Sequence, residues 1–218
     1  MTFVGFSEDA LEFYQYLRDN QYSTNAYNSR KIVFHDEIKP ALTALLDEAA
    51  SVIVPTNSDI QHPDTERLGS PHNQGGPSGF AWGALTRNNK NRRNDLQLFV
   101  ALRPQSIRVG LYVSRKFAKP VFQRTIRNIY REPEKFCELL DELFSCGILM
   151  CEPCDNRDLG HSNILEYERD CPNIAIGENN ELDLFKSFTL EDGSNKEFVD
   201  EVINVFSSLI PMREFLLK

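Results

Sequence analysis

The sequence predicts a single α+β domain, mainly an antiparallel sheet with helices packed on it, and three observations carry that expectation. Two runs of strict alternation, Leu96/Leu98/Val100/Leu102 and Ile107/Val109/Leu111/Val113, flank the tight segment Arg103-Pro104-Gln105-Ser106, the pattern of a β-hairpin. Stretches on both sides of it repeat apolar residues at helical spacing. Strands and helices are mixed without the regular alternation of a doubly wound sheet. With 218 residues, 41% hydrophobic and 26% charged, the chain exceeds what a core needs to stand without disulfide or metal staples. Fibrous, wholly disordered and disulfide-dependent classes are excluded by this composition.

Taken in order, Ser7 caps a first helix with Glu8 and Asp9 in its first turn and Ala10, Phe13, Tyr14 and Leu17 on one face. The interval 20–29 is expected to break it. A second helical region follows, with Ile38, Ala41, Leu42, Leu45, Leu46 and Ala49 facing the core and Pro40 either kinking it or opening its second part. From 55 to 94 no apolar period is sustained, and seven Pro or Gly residues between Pro63 and Gly79 punctuate the stretch, which predicts a long, mobile loop or arm. After the hairpin, whose outward face is expected to be polar with Arg108 and Tyr112, Pro120 opens a helix to about Tyr130. Glu132-Pro133-Glu134 starts another, with Phe136, Leu139, Leu140, Leu143 and Phe144 inward. A short strand at 148–151, an irregular stretch to 180, a strand at 185–190 and a final helix from 197 to 217, interrupted at Pro211, complete the reading.

The formal net charge of -8 conceals a strong asymmetry. Between Arg87 and Arg131 lie twelve basic residues and a single acid, Asp95, a net of +11, while the remainder of the chain carries -19. A basic middle inside an acidic frame points to a polyanion-binding face. Its candidate contacts are Arg87, Lys90, Arg92, Arg93, Arg108, Arg115, Lys116, Lys119, Arg124, Arg127 and Arg131, together with Phe80 and Trp82, whose rings are placed to stack on bases beside the Asn-rich basic run. At 100° per residue, Arg124, Arg127 and Arg131 fall opposite Phe122, Ile126 and Ile129, and no acid lies three or four positions from Arg124 or Arg127. Two plainer readings compete: Trp82 anchoring its loop to the core, and the arginine stripe paired with acids from elsewhere in the fold.

Chemistry is poorly supported by motif. Cys151 and Cys154 form a CxxC that, with His161 and Cys171, has the ligand types of a tetrahedral zinc site, but one CxxC without a second pair is weak evidence and reduced thiols are the simpler reading. The spacing of Cys146, Cys151 and Cys154 echoes a plant-type iron–sulfur run, yet Cys171 follows too soon to be its fourth ligand. A metal-dependent hydrolase would draw on His62, Asp64, His72 or the Cys151/Cys154 region, and a protein–protein adaptor would use the two charge halves on different partners. No nucleophile elbow or phosphate-binding loop is present, so no cofactor and no catalytic residue is expected. Acids near the N-terminus, in place of the basic start and apolar run of a secretory leader, and no apolar run of membrane-spanning length predict a cytoplasmic chain.

Several segments resemble a conserved-hypothetical family known as domain of unknown function 2461. They are Leu11-x-Phe13 through Leu17 and Asn20, Lys31-Ile32-Val33-Phe34, Ile38-Lys39-Pro40, Gly110-Leu111-Tyr112, the 126–134 helix, Leu184-Phe185-Lys186-Ser187-Phe188-Thr189, and the terminal helix with Leu209-Ile210-Pro211 and Phe215-Leu216. Where that family carries a Trp-Phe pair this chain has Asn25-Ala26. The resemblance implies an α+β single domain and supplies no site residue. The expectation reached is a non-catalytic nucleic-acid-binding module, DNA being the favoured partner, similar in overall logic to the N-terminal specificity domains of modification-dependent restriction systems.

Overall fold

A computed structural model describes residues 2–57, 59–61, 72–73, 76–87, 94–150 and 181–218. It is an α+β domain in which helices cover one face of an antiparallel sheet.

The first helix, α1 (Glu8–Asp19), is capped by Ser7, whose hydroxyl accepts from the Ala10 N–H at 3.2 Å. The chain reverses through Gln21 and Tyr22, both with positive φ, and a second helix, α2 (Thr24–Val33), starts inside the interval expected to be irregular. The cause is local: Ser23 supplies a second cap, accepting from Ala26 N–H at 3.2 Å, and Ala26 and Tyr27 bury against the core. A single π-helical turn, Phe34–Ile38, joins α2 to α3 (Lys39–Thr56). Pro40 follows directly on that turn in backbone that stays helical from Val33 through Lys39, so its missing N–H falls where the helix switches through the π-helical turn. The apolar face expected of this helix, from Leu42 to Ala49, is buried.

Strands β1 (Ile60–Gln61), β4 (Ala81–Arg87), β5 (Gln97–Leu102), β6 (Ile107–Ser114), β7 (Leu149–Met150) and β8 (Glu181–Phe188) form one sheet in the order β1-β4-β5-β6-β8-β7, every neighbouring pair antiparallel. Two short strands, β2 (His72–Asn73) and β3 (Gly76–Pro77), pair separately. The hairpin forms as the alternation requires: Leu102 faces Ile107, and the Arg103 N–H closes the turn on the Ser106 carbonyl at 2.9 Å. The interval read as one long loop contains β4, which the pattern hides because Ala84, Leu85 and Thr86 are buried in succession. A strand buried on both faces has no alternation to detect.

Leu98, Val100, Leu102, Val109, Leu111, Val113, Leu182 and Leu184 share the principal core with the helices. The opposite face is not simply polar: Ala84, Phe99, Ala101 and Phe185 form a second apolar cluster, with Trp82 and Tyr112 packed on it. Gly110 lies opposite Phe185, and a Cβ there would come within 2.1 Å of the Leu184 carbonyl oxygen and 2.8 Å of Phe185 Cβ. Only glycine admits β8 this closely.

Helices α4 (Lys119–Arg131) and α5 (Pro133–Ser145) follow β6, and α6 (Leu190–Gly193), closed by a Thr189/Asp192 capping box, leads into α7 (Phe198–Leu217). The last helix runs unbroken through Pro211. Pro211 and Ser207, whose carbonyl loses its helical donor, are both exposed, so the missing bond falls on the solvent side of the helix, where it costs least. Arg213, 2% exposed at its side chain, is held bidentately by Asp59, with Nη2 to Oδ2 at 2.9 Å, tying α7 to the start of β1. No helix among the described residues is long and apolar enough to cross a membrane.

Candidate nucleic-acid interface

The turn between β6 and α4 is pinned from inside. Ser114 Oγ accepts from the Lys116 N–H at 3.2 Å, its carbonyl accepts from the Ala118 N–H at 2.8 Å, and Ala118 is buried. With both ends held, Arg115, Lys116 and Phe117 are turned outward and exposed. α4 then divides its residues sharply. Phe122, Thr125, Asn128 and Ile129 are buried, and Asn128 Nδ2 donates to the Phe215 and Leu216 carbonyls at 3.4 and 3.1 Å, closing the end of α7. Lys119, Arg124, Arg127, Tyr130 and Arg131 are exposed on the other side.

The stretch 115–131 contains no acid. Arg131 pairs with Glu132 at 2.9 Å, an exposed contact that contributes little. Arg124 Nη1 reaches the Leu217 carbonyl at 3.5 Å, a weak contact. Arg127 has no acidic partner among the described residues. α4 also starts without a side-chain cap and with Lys119 at its first position, so the positive end of the helix adds to the cations rather than offsetting them. The arginine stripe thus faces solvent with its charge largely unmatched.

The other expected contacts lie elsewhere. Trp82 stands on β4, stacked on Phe99 with ring centroids 4.1 Å apart, edge-on to Tyr112 at 5.3 Å, and its Nε1–H donates to Gln97 Oε1 at 2.9 Å. Phe80 is half-buried beside it, with the Arg103 guanidinium 5.5 Å over its ring. Arg108 lies 4.1 Å over Phe185, and Arg87 is held by the buried Asp95. Trp82, Phe80 and Arg108 lie on or beside the helix-free face of the sheet, Arg87 falls on the same side of β4 as the core residues Ala81 and Leu85 and opposite Ile60, and α4 belongs to the helical layer, so the expected contacts among the described residues do not converge on one surface. Lys90, Arg92 and Arg93 lie outside the described residues, as do Cys151, Cys154, His161, Cys171, His62 and Asp64; His72 falls on β2. Among the described residues no three His, Cys, Asp or Glu side chains are grouped to hold a metal ion.

Sequence reasoning missed Phe117 and Tyr130 on the exposed side and Asp183 on the sheet. A helical wheel places Tyr130 within about 20° of Lys119 and 60° of Arg127, so that signal was available. Asp183 faces Tyr112 directly across β6 and β8, and its Oδ1 is buried without a hydrogen-bond partner. Burial pushes its carboxyl up to about 7, with Arg108 and Arg103 pulling the other way and Glu181 adding to the rise. Burial, with Glu181, likewise raises the Tyr112 hydroxyl. Because the folded carboxyl keeps a proton that the unfolded chain releases, Asp183 favours folding below the ordinary carboxylate range, and that contribution is lost as pH rises to about 7. Asp183→Asn is therefore expected to raise the melting temperature relative to the parent at pH 8 and to converge with it near pH 4. Parallel melting curves across that range would refute this assignment.

No family model matches the chain, and no curated protein matches it.

Proposed function

We propose that this chain is a non-catalytic nucleic-acid-binding module that holds phosphates on α4 and the turn before it. The observation that carries the reading is one continuous turn and helix face with six cations, Arg115, Lys116, Lys119, Arg124, Arg127 and Arg131, exposed and without an intervening acid. Cations at helical spacing repel one another by a few tenths of a kcal/mol each, and isolated surface pairs return little, so stability gives no reason to gather them. A row of phosphates does, because each one neutralised releases condensed counterions. The acidic remainder of the chain keeps the molecule anionic overall and limits unspecific association to this face. Such a module suits the reader domain of a larger DNA-handling protein.

The test is fluorescence polarisation of labelled 20-mer oligonucleotides against the purified chain between 50 and 300 mM salt. Engagement of four to six phosphates predicts a log–log slope of about -3 to -5. Absence of binding at the lowest salt, or an affinity indifferent to salt, would overturn the proposal.

A further inference from the structure

We infer that the strand taken by this face is single-stranded, an inference that rests on the nucleic-acid reading above and narrows it. Phe117 and Tyr130, 48% and 63% exposed, are the only Phe, Tyr or Trp side chains among the described residues left exposed, and both stand within the cationic stretch. Elsewhere the described rings are buried or half-buried: Phe13, Phe99, Phe136 and Phe206 are all within 1% of full burial, and Tyr16, Phe80, Trp82 and Tyr112 are partly covered. Neither exposed ring serves the core. Ala118 and Phe122 make the inward contacts at the start of α4, and Ile129 makes them beside Tyr130.

Their positions relative to the cations give the rings a use. Lys116 Nζ sits 5.3 Å over the Phe117 ring, which places a phosphate-binding charge beside a stacking surface. Tyr130 shares the exposed side of α4 with Lys119 and Arg127, and the helix rises roughly 16 Å between Lys119 and Tyr130. A flexible backbone laid along this side meets charge throughout and a ring at each end. A duplex turns its bases inward and presents phosphates to an outer helix face, so these rings would find nothing to stack on. An unpaired strand offers the π-face of every base, and stacking of this kind tolerates any sequence.

The test compares a labelled 20-mer of deoxythymidine with a 20-base-pair duplex at equal salt, using the full chain. The single strand is expected to bind more tightly. Phe117→Ala with Tyr130→Ala should weaken it about 30-fold or more and leave duplex affinity within about twofold. Tyr130→Phe should retain single-strand binding, and Arg127→Gln should weaken both ligands. Since both rings are exposed, the variants are expected to melt with the parent, which thermal denaturation checks. A duplex bound as tightly as the single strand, or ring variants that leave the deoxythymidine affinity unchanged, overturns the inference while the nucleic-acid reading stands. Failure of both ligands to bind at low salt overturns the two together.

Discussion

Reversing Arg124 and Arg127 to glutamate together is expected to lower oligonucleotide affinity more than 100-fold at 0.1 M salt, with a melting temperature within about 4 °C of the parent. Each phosphate no longer neutralised takes away about 0.9 log units of affinity per decade of salt below 1 M, so releasing two phosphates accounts for a factor of roughly 60 on a duplex and somewhat less on a single strand. Two new carboxylates facing the same strand add repulsion to that deficit. Folding has little at stake. Arg127 is exposed with no acidic partner among the described residues, and Arg124 holds only the 3.5 Å contact to the Leu217 carbonyl. A carboxylate at the Arg124 position would face the negative end of α7, a cost of about 0.3–1 kcal/mol. For a domain of this size that corresponds to roughly 1–4 °C. Charge-neutral Arg124→Gln/Arg127→Gln should fall between the parent and the reversal. Unchanged affinity in the reversed protein, measured by polarisation titration, would remove α4 from the interface and leave the basic run after Arg87 as its remaining candidate.

The sequence shows the α4 stripe clearly because amphipathic periodicity and charge speak together there: Phe122 and Ile129 fix which side is inward, and three arginines then lie outward at any plausible docking of the helix. The hairpin is legible for the same reason, alternation being a direct consequence of a strand with one face in the core. β4 is not, because burial on both faces erases the period, and Gly83 and Ala84 leave no bulky marker. α2 is hidden by a polar composition that only its Ser23 cap and three buried residues, Ala26, Tyr27 and Val33, redeem. The placement of Trp82, Arg87 and Arg108 is a property of cross-strand register. Trp82 lies over Phe99 because Ala84, two residues on, pairs with Phe99, and the side chain reaches across to Gln97. No spacing rule along one strand contains that information. Tyr130 is a different kind of omission: it reads as a neutral aromatic at the end of a helix, and only its exposure separates it from the core.

Arg87 distinguishes a cation that holds the fold from one that holds a ligand, and Arg87→Met is expected to cost about 3–5 kcal/mol of stability. Asp95 is wholly buried, and it accepts from the Arg87 backbone N–H at 3.0 Å and from Nε at 3.0 Å, with Nη2 closing the fork. The hydrogen bond to Asp95 is the main influence keeping the guanidinium more strongly protonated than usual, and Asp59 lies close enough to add to it. Removing the guanidinium leaves a buried carboxylate with, among the described residues, one backbone donor, whereas removing the carboxylate leaves a guanidinium already 22% exposed that can turn to solvent. The two single substitutions should therefore be unequal, with Asp95→Leu costing clearly less than Arg87→Met. The double substitution Arg87→Met/Asp95→Leu should recover most of the stability, since an apolar pair of similar volume replaces a buried ion pair at little net cost. Chemical denaturation of the four proteins closes the cycle. If Arg87→Met instead melts with the parent and weakens oligonucleotide binding, Arg87 belongs to the interface and the Asp95 contact is incidental. If it unfolds early while the folded fraction binds normally, the basic segment divides at β4: the arginine at the strand's end stabilises the sheet, and the cations beyond β6 are left to meet the phosphates.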